Sequence, residues 1–149
     1  MGESSPPQNS VIAIEQTVAV QAPISEVFER WCRVEDFPSF MEGVREIRWL
    51  DDKRFSLKSE NGGEYFHSTC ELTLRIPERR MAWRTLDGPD SSGVACFQNA
   101  GGGITEVTLK MRYDPTSGWK DREQVEDRLR RNRGRFKDLV EGGKSVGAI

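Results

Sequence analysis

The sequence predicts an α+β domain: a curved antiparallel sheet of about six or seven strands wrapped around one long C-terminal helix, with two short helices after the first strand. Three observations carry this. Apolar residues recur at every second position through most of the chain between Ile12 and Tyr113. Tight turn signals, among them Asn61-Gly62-Gly63, Pro77-Glu78 and Gly101-Gly102-Gly103, join those segments into consecutive hairpins. The last long segment, Trp119–Glu141, has the length of a single helix, and its narrow apolar stripe needs a sheet face to cover it. Strands that curl around one helix leave a concave, mostly apolar pocket between the layers.

Each element follows from local chemistry. In the first strand Ile12, Ile14, Val18 and Val20 alternate with smaller or more polar neighbours, and Ala22-Pro23 ends it. Ile24, Val27, Phe28 and Trp31 then recur at helical spacing, with Pro23 placed at the first turn. Glu35–Met41 reads as a second short helix bent at Pro38. From Val44 the period is two: Ile47 and Trp49 form one face, Asp51-Asp52-Lys53 turns the chain, and Phe55, Leu57 and Ser59 follow. Tyr65–Ile76 is long and two-faced, with Phe66, Ser68, Cys70, Leu72, Leu74 and Ile76 expected inward and the odd positions, His67 included, outward. Met81–Leu86, Gly93–Gln98 and Thr105–Tyr113 supply the remaining strands. In the C-terminal helix Val125, Leu129, Asn132, Phe136 and Leu139/Val140 form the stripe.

With 149 residues the chain suits one domain. Residues 1–10 read as a flexible leader, 11–141 as the ligand-binding domain and 142–149 as a flexible tail. A net charge of −2, from 22 basic against 24 acidic residues, argues against nucleic acid as a partner. No apolar run reaches the ~20 residues of a membrane span, and the N-terminus lacks the features of a secretory signal. Cys32, Cys70 and Cys96 are an odd, widely spaced set that suggests buried thiols of a cytoplasmic protein. The lone histidine has no cluster of ligands around it, so no metal site is expected, and no cofactor is called for.

Several strings resemble the START-like (SRPBCC) superfamily, and in particular bacterial domains of the polyketide cyclase/dehydrase or coenzyme Q-binding type. They are Val20-Gln21-Ala22-Pro23 leading into Val27-Phe28, Phe37-Pro38-Ser39-Phe40-Met41-Glu42-Gly43-Val44, Pro77-Glu78-Arg79-Arg80-Met81-Ala82-Trp83-Arg84, Ser92-Gly93-Val94, and Phe136-Lys137-Asp138-Leu139-Val140-Glu141. The resemblance runs from about Val11 to Glu141 and implies the helix-grip fold. It also implies binding of a small hydrophobic molecule, a lipid, isoprenoid/quinone or polyketide-like chain, between sheet and helix. Members of this superfamily also act as aromatase/cyclases or dehydratases that position a poly-keto chain without metal or covalent nucleophile, and others are stress-related or regulatory domains whose cavity is vestigial. Fold alone does not choose among these. A monomer or homodimer suits all three.

The candidate binding residues combine the inward faces with that resemblance: Phe37, Phe40, Met41, Trp49, Phe55, Leu57, Phe66, Ser68, Cys70, Tyr113, Leu129, Asn132 and Phe136. Trp31 belongs with the aromatic cluster at the cavity end. Asn132 stands out, because an amide on the sheet-facing stripe needs a partner, ordered water or a polar ligand atom. If it serves only a ligand, replacement by Leu leaves folding intact. Asn132, Ser68 and Arg84 are the candidate catalytic groups, Arg84 on condition that its strand face is the concave one. The run Arg128, Arg130, Arg131, Arg133, Arg135 and Lys137 reads as a solvated helix face paired to nearby acids.

Overall fold

The computed structural model describes residues 11–61, 63–87, 91–114 and 122–148. The expected leader, the residue Gly62, most of the Gly88–Ser92 loop and the expected start of the last helix at Trp119 lie outside them. The described order is β1 (Ile12–Val20), α1 (Ile24–Cys32), a 3₁₀ helix (Val34–Ser39), β2 (Val44–Trp49), β3 (Arg54–Asn61), β4 (Glu64–Ile76), β5 (Arg80–Asp87), β6 (Ser91–Gly101), β7 (Ile104–Tyr113) and α2 (Arg122–Ala148). All seven strands form one antiparallel sheet in the order β1-β7-β6-β5-β4-β3-β2, which curves around α2 in the helix-grip arrangement. The helix runs to Ala148, past its expected end at Glu141. The short helix around Pro38 begins and ends earlier than expected and is 3₁₀ in form.

Alternation decides what faces the helix. Ile14, Val20, Phe55, Cys70, Met81, Ala95, Phe97, Val107 and Leu109 are buried on the concave face, as their period of two predicts. Val125 packs with Ile14, Met111 and Tyr113, whereas Phe136 and Val140 join the larger core of Val20, Phe28, Trp31 and Phe40. In β4 the expected inward face holds only as far as Leu72. A register shift separates Leu72 from Leu74, so Leu74 and Ile76 turn outward, each 38% exposed, and Arg75 falls opposite the buried Met81. One extra residue in a strand exchanges its two faces beyond that point. Arg75 then lies over the Phe28 ring, 5.8 Å from its centroid. His67 lies before the shift and is exposed, as expected.

The position of α2 is set by the free edge of β1. An edge strand presents unpaired carbonyls, and in an antiparallel strand those facing away from the partner come from alternate residues. Arg122 donates to the carbonyl of Ala13 at 3.1 Å, Arg133 to that of Thr17, and Lys137 to that of Ala19 at 2.8 Å. Gln16 reaches the other way, donating to the Glu126 carbonyl at 2.9 Å. The basic run of α2 is therefore not simply a solvated face: part of it closes a sheet edge. Local pairs form as well, Arg130 with Asp127 at 2.6 Å as expected, and Lys137 with Glu141 at 2.6 Å.

Gly93 shows how tightly the sheet's inner face is packed. It sits opposite Trp83 in the β5–β6 ladder, and a Cβ built there would lie 2.3 Å from the indole ring. Gly93→Ala should cost about 1–3 kcal/mol of stability through displacement of that ring. Chemical denaturation together with tryptophan emission checks this, and unchanged values would mean the ring re-seats freely.

Candidate functional site

Between the sheet and α2 lies a cavity of about 170 Å³, more than tenfold the ~10–15 Å³ that one water requires. Its walls come from four directions. The inner faces of β3 and β4 give Phe55, Leu57, Phe66, Ser68 and Cys70; β5 gives Met81, Trp83 and Thr85; α2 gives Val125, Leu129 and Asn132. The fourth wall is Trp31 from α1 with Phe37, Phe40 and Met41 from the segment that follows. Ring stacking fixes that aromatic end: Trp31 lies 5.6 Å from Phe37 and 5.9 Å from Phe40.

Ten expected binding residues thus line one cavity: Phe37, Phe40, Met41, Phe55, Leu57, Phe66, Ser68, Cys70, Leu129 and Asn132. Four other expectations are corrected. Trp49 is 37% exposed, stacks on Phe55 at 5.5 Å and donates its indole N–H to Glu35 at 3.3 Å. Tyr113 is consumed by packing in the smaller core beside Val125 and Ile14. Phe136 supports the wall from behind, 5.1 Å from Trp31 and 5.2 Å from Phe40, and does not line the cavity. Arg84 lies on the convex face, because Trp83 and Thr85 on either side of it face inward; there it pairs with Glu71 at 3.1 Å. It does not line this cavity.

Sequence reasoning missed Met81, Trp83, Leu109 and Met111 on the walls, although alternation alone marked their faces as inward. It also missed the charged rim of Glu42, Glu60, Arg128 and Arg133, for which no local signal exists. Gly43, between Glu42 and Val44, adopts φ +88, and a Cβ there would lie 2.9 Å from the Glu60 carbonyl oxygen. That close approach lets the Glu60 N–H donate to the Gly43 carbonyl at 2.7 Å and binds this corner to β3.

The same corner is clasped to α2. Asn132 Oδ1 accepts the backbone N–H of Glu42 at 2.8 Å. The Glu42 carboxylate takes two hydrogen bonds from Arg131, at 2.7 and 2.9 Å, with Arg128 at 3.7 Å and Arg135 at 3.6 Å. The Arg131 hydrogen bonds, reinforced by the charge of all three arginines, hold the Glu42 carboxyl below its usual range. Asn132 therefore has a structural task that its place on the stripe did not reveal. Its Nδ2 and the Ser68 hydroxyl make no hydrogen bond among the described residues and remain available to the cavity.

No group on these walls is poised as a strong nucleophile. Burial pushes the Cys70 thiol up to about 12. The Thr85 hydroxyl is engaged with Ser91, accepting its N–H at 3.0 Å and donating to its carbonyl at 3.1 Å. Among the described residues no group of three or more His, Cys, Asp or Glu side chains could hold a metal ion, and no helix is long and apolar enough to cross a membrane. Cys32, Cys70 and Cys96 are free thiols, Cys70 buried and the others half-buried.

Two outcomes test the clasp. Asn132→Leu should lose about 1–3 kcal/mol of stability, because the Glu42 N–H is left without its acceptor; denaturation midpoints check it, and a neutral or stabilising result would return Asn132 to a purely ligand-facing role. Since the folded Glu42 carboxyl titrates below the usual 4.5, its contribution is full above that value and is lost as pH falls through the lowered one. The stability gap between the native chain and Glu42→Gln should accordingly be constant near neutrality and close below about pH 4.5. Denaturation across a pH series reads this directly.

The family model for polyketide cyclase / dehydrase and lipid transport matches residues 20–138. An uncharacterized 17.2 kDa protein of Streptomyces lincolnensis is 31% identical over 136 residues, 86% of this chain and 89% of its own. The crystal structure of a Deinococcus radiodurans protein is similar at TM-score 0.72 and 26% identity, covering 88% of this chain and 99% of that one. The Zhui aromatase/cyclase from Streptomyces sp. R1128 shares the fold at TM-score 0.68 and 20% identity, over 93% and 96% of the two chains. With the cavity held between a curved sheet and its C-terminal helix, these matches place the chain in the polyketide cyclase/dehydrase and lipid transport family.

Proposed function

We propose that this protein binds a small hydrophobic molecule, a lipid, isoprenoid/quinone or polyketide-like chain, inside the cavity between sheet and helix. The observation that carries this reading is the cavity itself: about 170 Å³ of space with walls of Phe, Leu, Met and Trp broken by a few polar groups. An apolar void of similar size, ~150 Å³, is enough to admit benzene into a protein core. Convergent apolar walls with few polar groups are what small-molecule sites share. The three free cysteines suit a cytoplasmic site of action.

A second reading, cyclisation or dehydration of a poly-keto chain, is favoured by the family match and by the aromatase/cyclase that shares the fold. Here catalysis would rest on holding a flexible chain in a reactive conformer, which contributes up to roughly 7–11 kcal/mol. Ser68 and the free amide nitrogen of Asn132 would orient its carbonyls. The proton transfers are harder to supply. The two carboxylates at the rim, Glu42 and Glu60, are tied to Arg131 and Arg45, and the only histidine faces outward. Binding is therefore the reading the site supports best.

Native mass spectrometry of the purified protein, followed by titration with an apolar fluorescent probe, tests both. Leu57→Trp places a bulky ring on the wall and should weaken probe binding by about tenfold or more, with little change in thermal midpoint. Unchanged affinity would move binding out of the cavity. Conversion of a linear poly-keto thioester to a cyclised product would establish the second reading.

A further inference from the structure

Gly93 lies inside β6, where a glycine weakens the strand and ordinarily marks the close approach of another group. Its φ is not left-handed, so what the position uses is the missing Cβ. The group that approaches is the Trp83 indole. A Cβ built on Gly93 would lie 2.3, 2.4 and 2.9 Å from three consecutive atoms of its six-membered ring, Cη2, Cζ2 and Cζ3. An edge-on ring at that distance brings no more than two atoms so near, so the indole lies face down on the β6 backbone. Side chains of a strand ordinarily stand roughly perpendicular to the sheet. An upright indole would project into the cavity; the flat one clears that space.

The other face of the indole is then turned away from the sheet, toward α2, whose Val125 and Leu129 line the opposite wall. Trp83 is half-buried on the concave side, and among the described residues no other aromatic ring stacks on it. Trp31 and Phe55 on the same walls are already stacked, on Phe37 and Trp49. Aromatic faces favour a second ring in an offset stack, beyond what apolar burial alone contributes. We propose that the cavity takes a ligand with a planar, conjugated ring, held between the Trp83 indole and the side chains of Val125 and Leu129. Gly93 is the residue that lays this platform flat. The assignment rests on the cavity-binding reading above and narrows it to a ligand class, a flat ring in preference to a saturated one of similar size.

Titration calorimetry of the full chain with naphthol and its saturated counterpart decahydronaphthol, the hydroxyl on the same carbon in both, tests the assignment. The native protein should bind naphthol about fivefold more tightly. Trp83→Leu should bring the two affinities within about twofold of each other. Gly93→Ala, which tips the ring off the backbone, should lower the same ratio by about half or more. If Trp83→Leu fails to fold, Trp83→Phe takes its place; its smaller ring should about halve the ratio. Equal binding by the native chain, tighter binding of the saturated alcohol, or a ratio that survives any of these substitutions would overturn the platform and leave the cavity reading standing. Binding of an apolar fluorescent probe but of neither alcohol would do the same. Failure of the alcohols and the probe alike would remove the cavity reading and this assignment together.

Discussion

The closing of β1's free edge by α2 is the constraint on which the rest of the structure depends. An unpaired strand edge exposes carbonyls that must be hydrated, bonded or covered. Here Arg122, Arg133 and Lys137 reach those of Ala13, Thr17 and Ala19, which fixes the helix along one border of the sheet. With α2 held there, the apolar stripe can fill only part of the concave face. Val125 meets Ile14 and Met111 near β1 and β7, while Leu129 and Asn132 look across open space toward β3 and β4. The cavity is a geometric consequence of an anchored helix and a sheet too curved for that helix to cover.

The open side is then closed by a separate device. The segment after the 3₁₀ helix swings Phe40 and Met41 over the gap and is fastened by Glu42, whose amide bonds Asn132 and whose carboxylate gathers Arg131, Arg128 and Arg135. Gly43 permits the turn that follows, and the Glu60–Gly43 hydrogen bond ties it to β3. The pieces are of unequal strength. Exposed ion pairs contribute about 0–1 kcal/mol each, whereas the half-buried amide bond leaves a stranded donor when it is broken. This corner is tied at its backbone more firmly than at its charges, which suits a wall that must stay closed yet admit a ligand.

Most of the architecture was legible because period-two alternation and turn chemistry are local. Phe55, Leu57, Phe66, Ser68 and Cys70 could be put on one wall from spacing alone, and Leu129 and Asn132 from helical periodicity. Alternation failed where a bulge reset it: the shift after Leu72 sends Leu74 outward and brings Arg75 opposite Met81, and nothing in the sequence marks that residue. Arg84 depended on knowing which face of β5 is concave, although the flanking Met81 and Trp83 already pointed inward. Trp49, Tyr113 and Phe136 were expected to touch the ligand and do not line the cavity, because periodicity marks a residue's face and not whether space or another side chain lies beyond it. The clasp was illegible for a different reason. Glu42 and Asn132 are ninety residues apart, and a partner at that distance has no signature in either residue's neighbourhood.

Asn132 and the cavity also bear on why the space is left unfilled. At roughly 24 cal/mol per Å³, a space of about 170 Å³ that no side chain fills forfeits on the order of 4 kcal/mol against a close-packed core. That is a large fraction of the 5–15 kcal/mol by which a domain is ordinarily stable. Larger side chains could close the gap: Ser68, Cys70 and Val44 are small residues on the wall. Their smallness runs against close packing of this core. That cost can be offset by binding, because whatever binds only the folded state stabilises it by mass action. A core left incomplete on one side, and walled by aromatic and aliphatic side chains with few polar groups, has the physical form that small-molecule sites share.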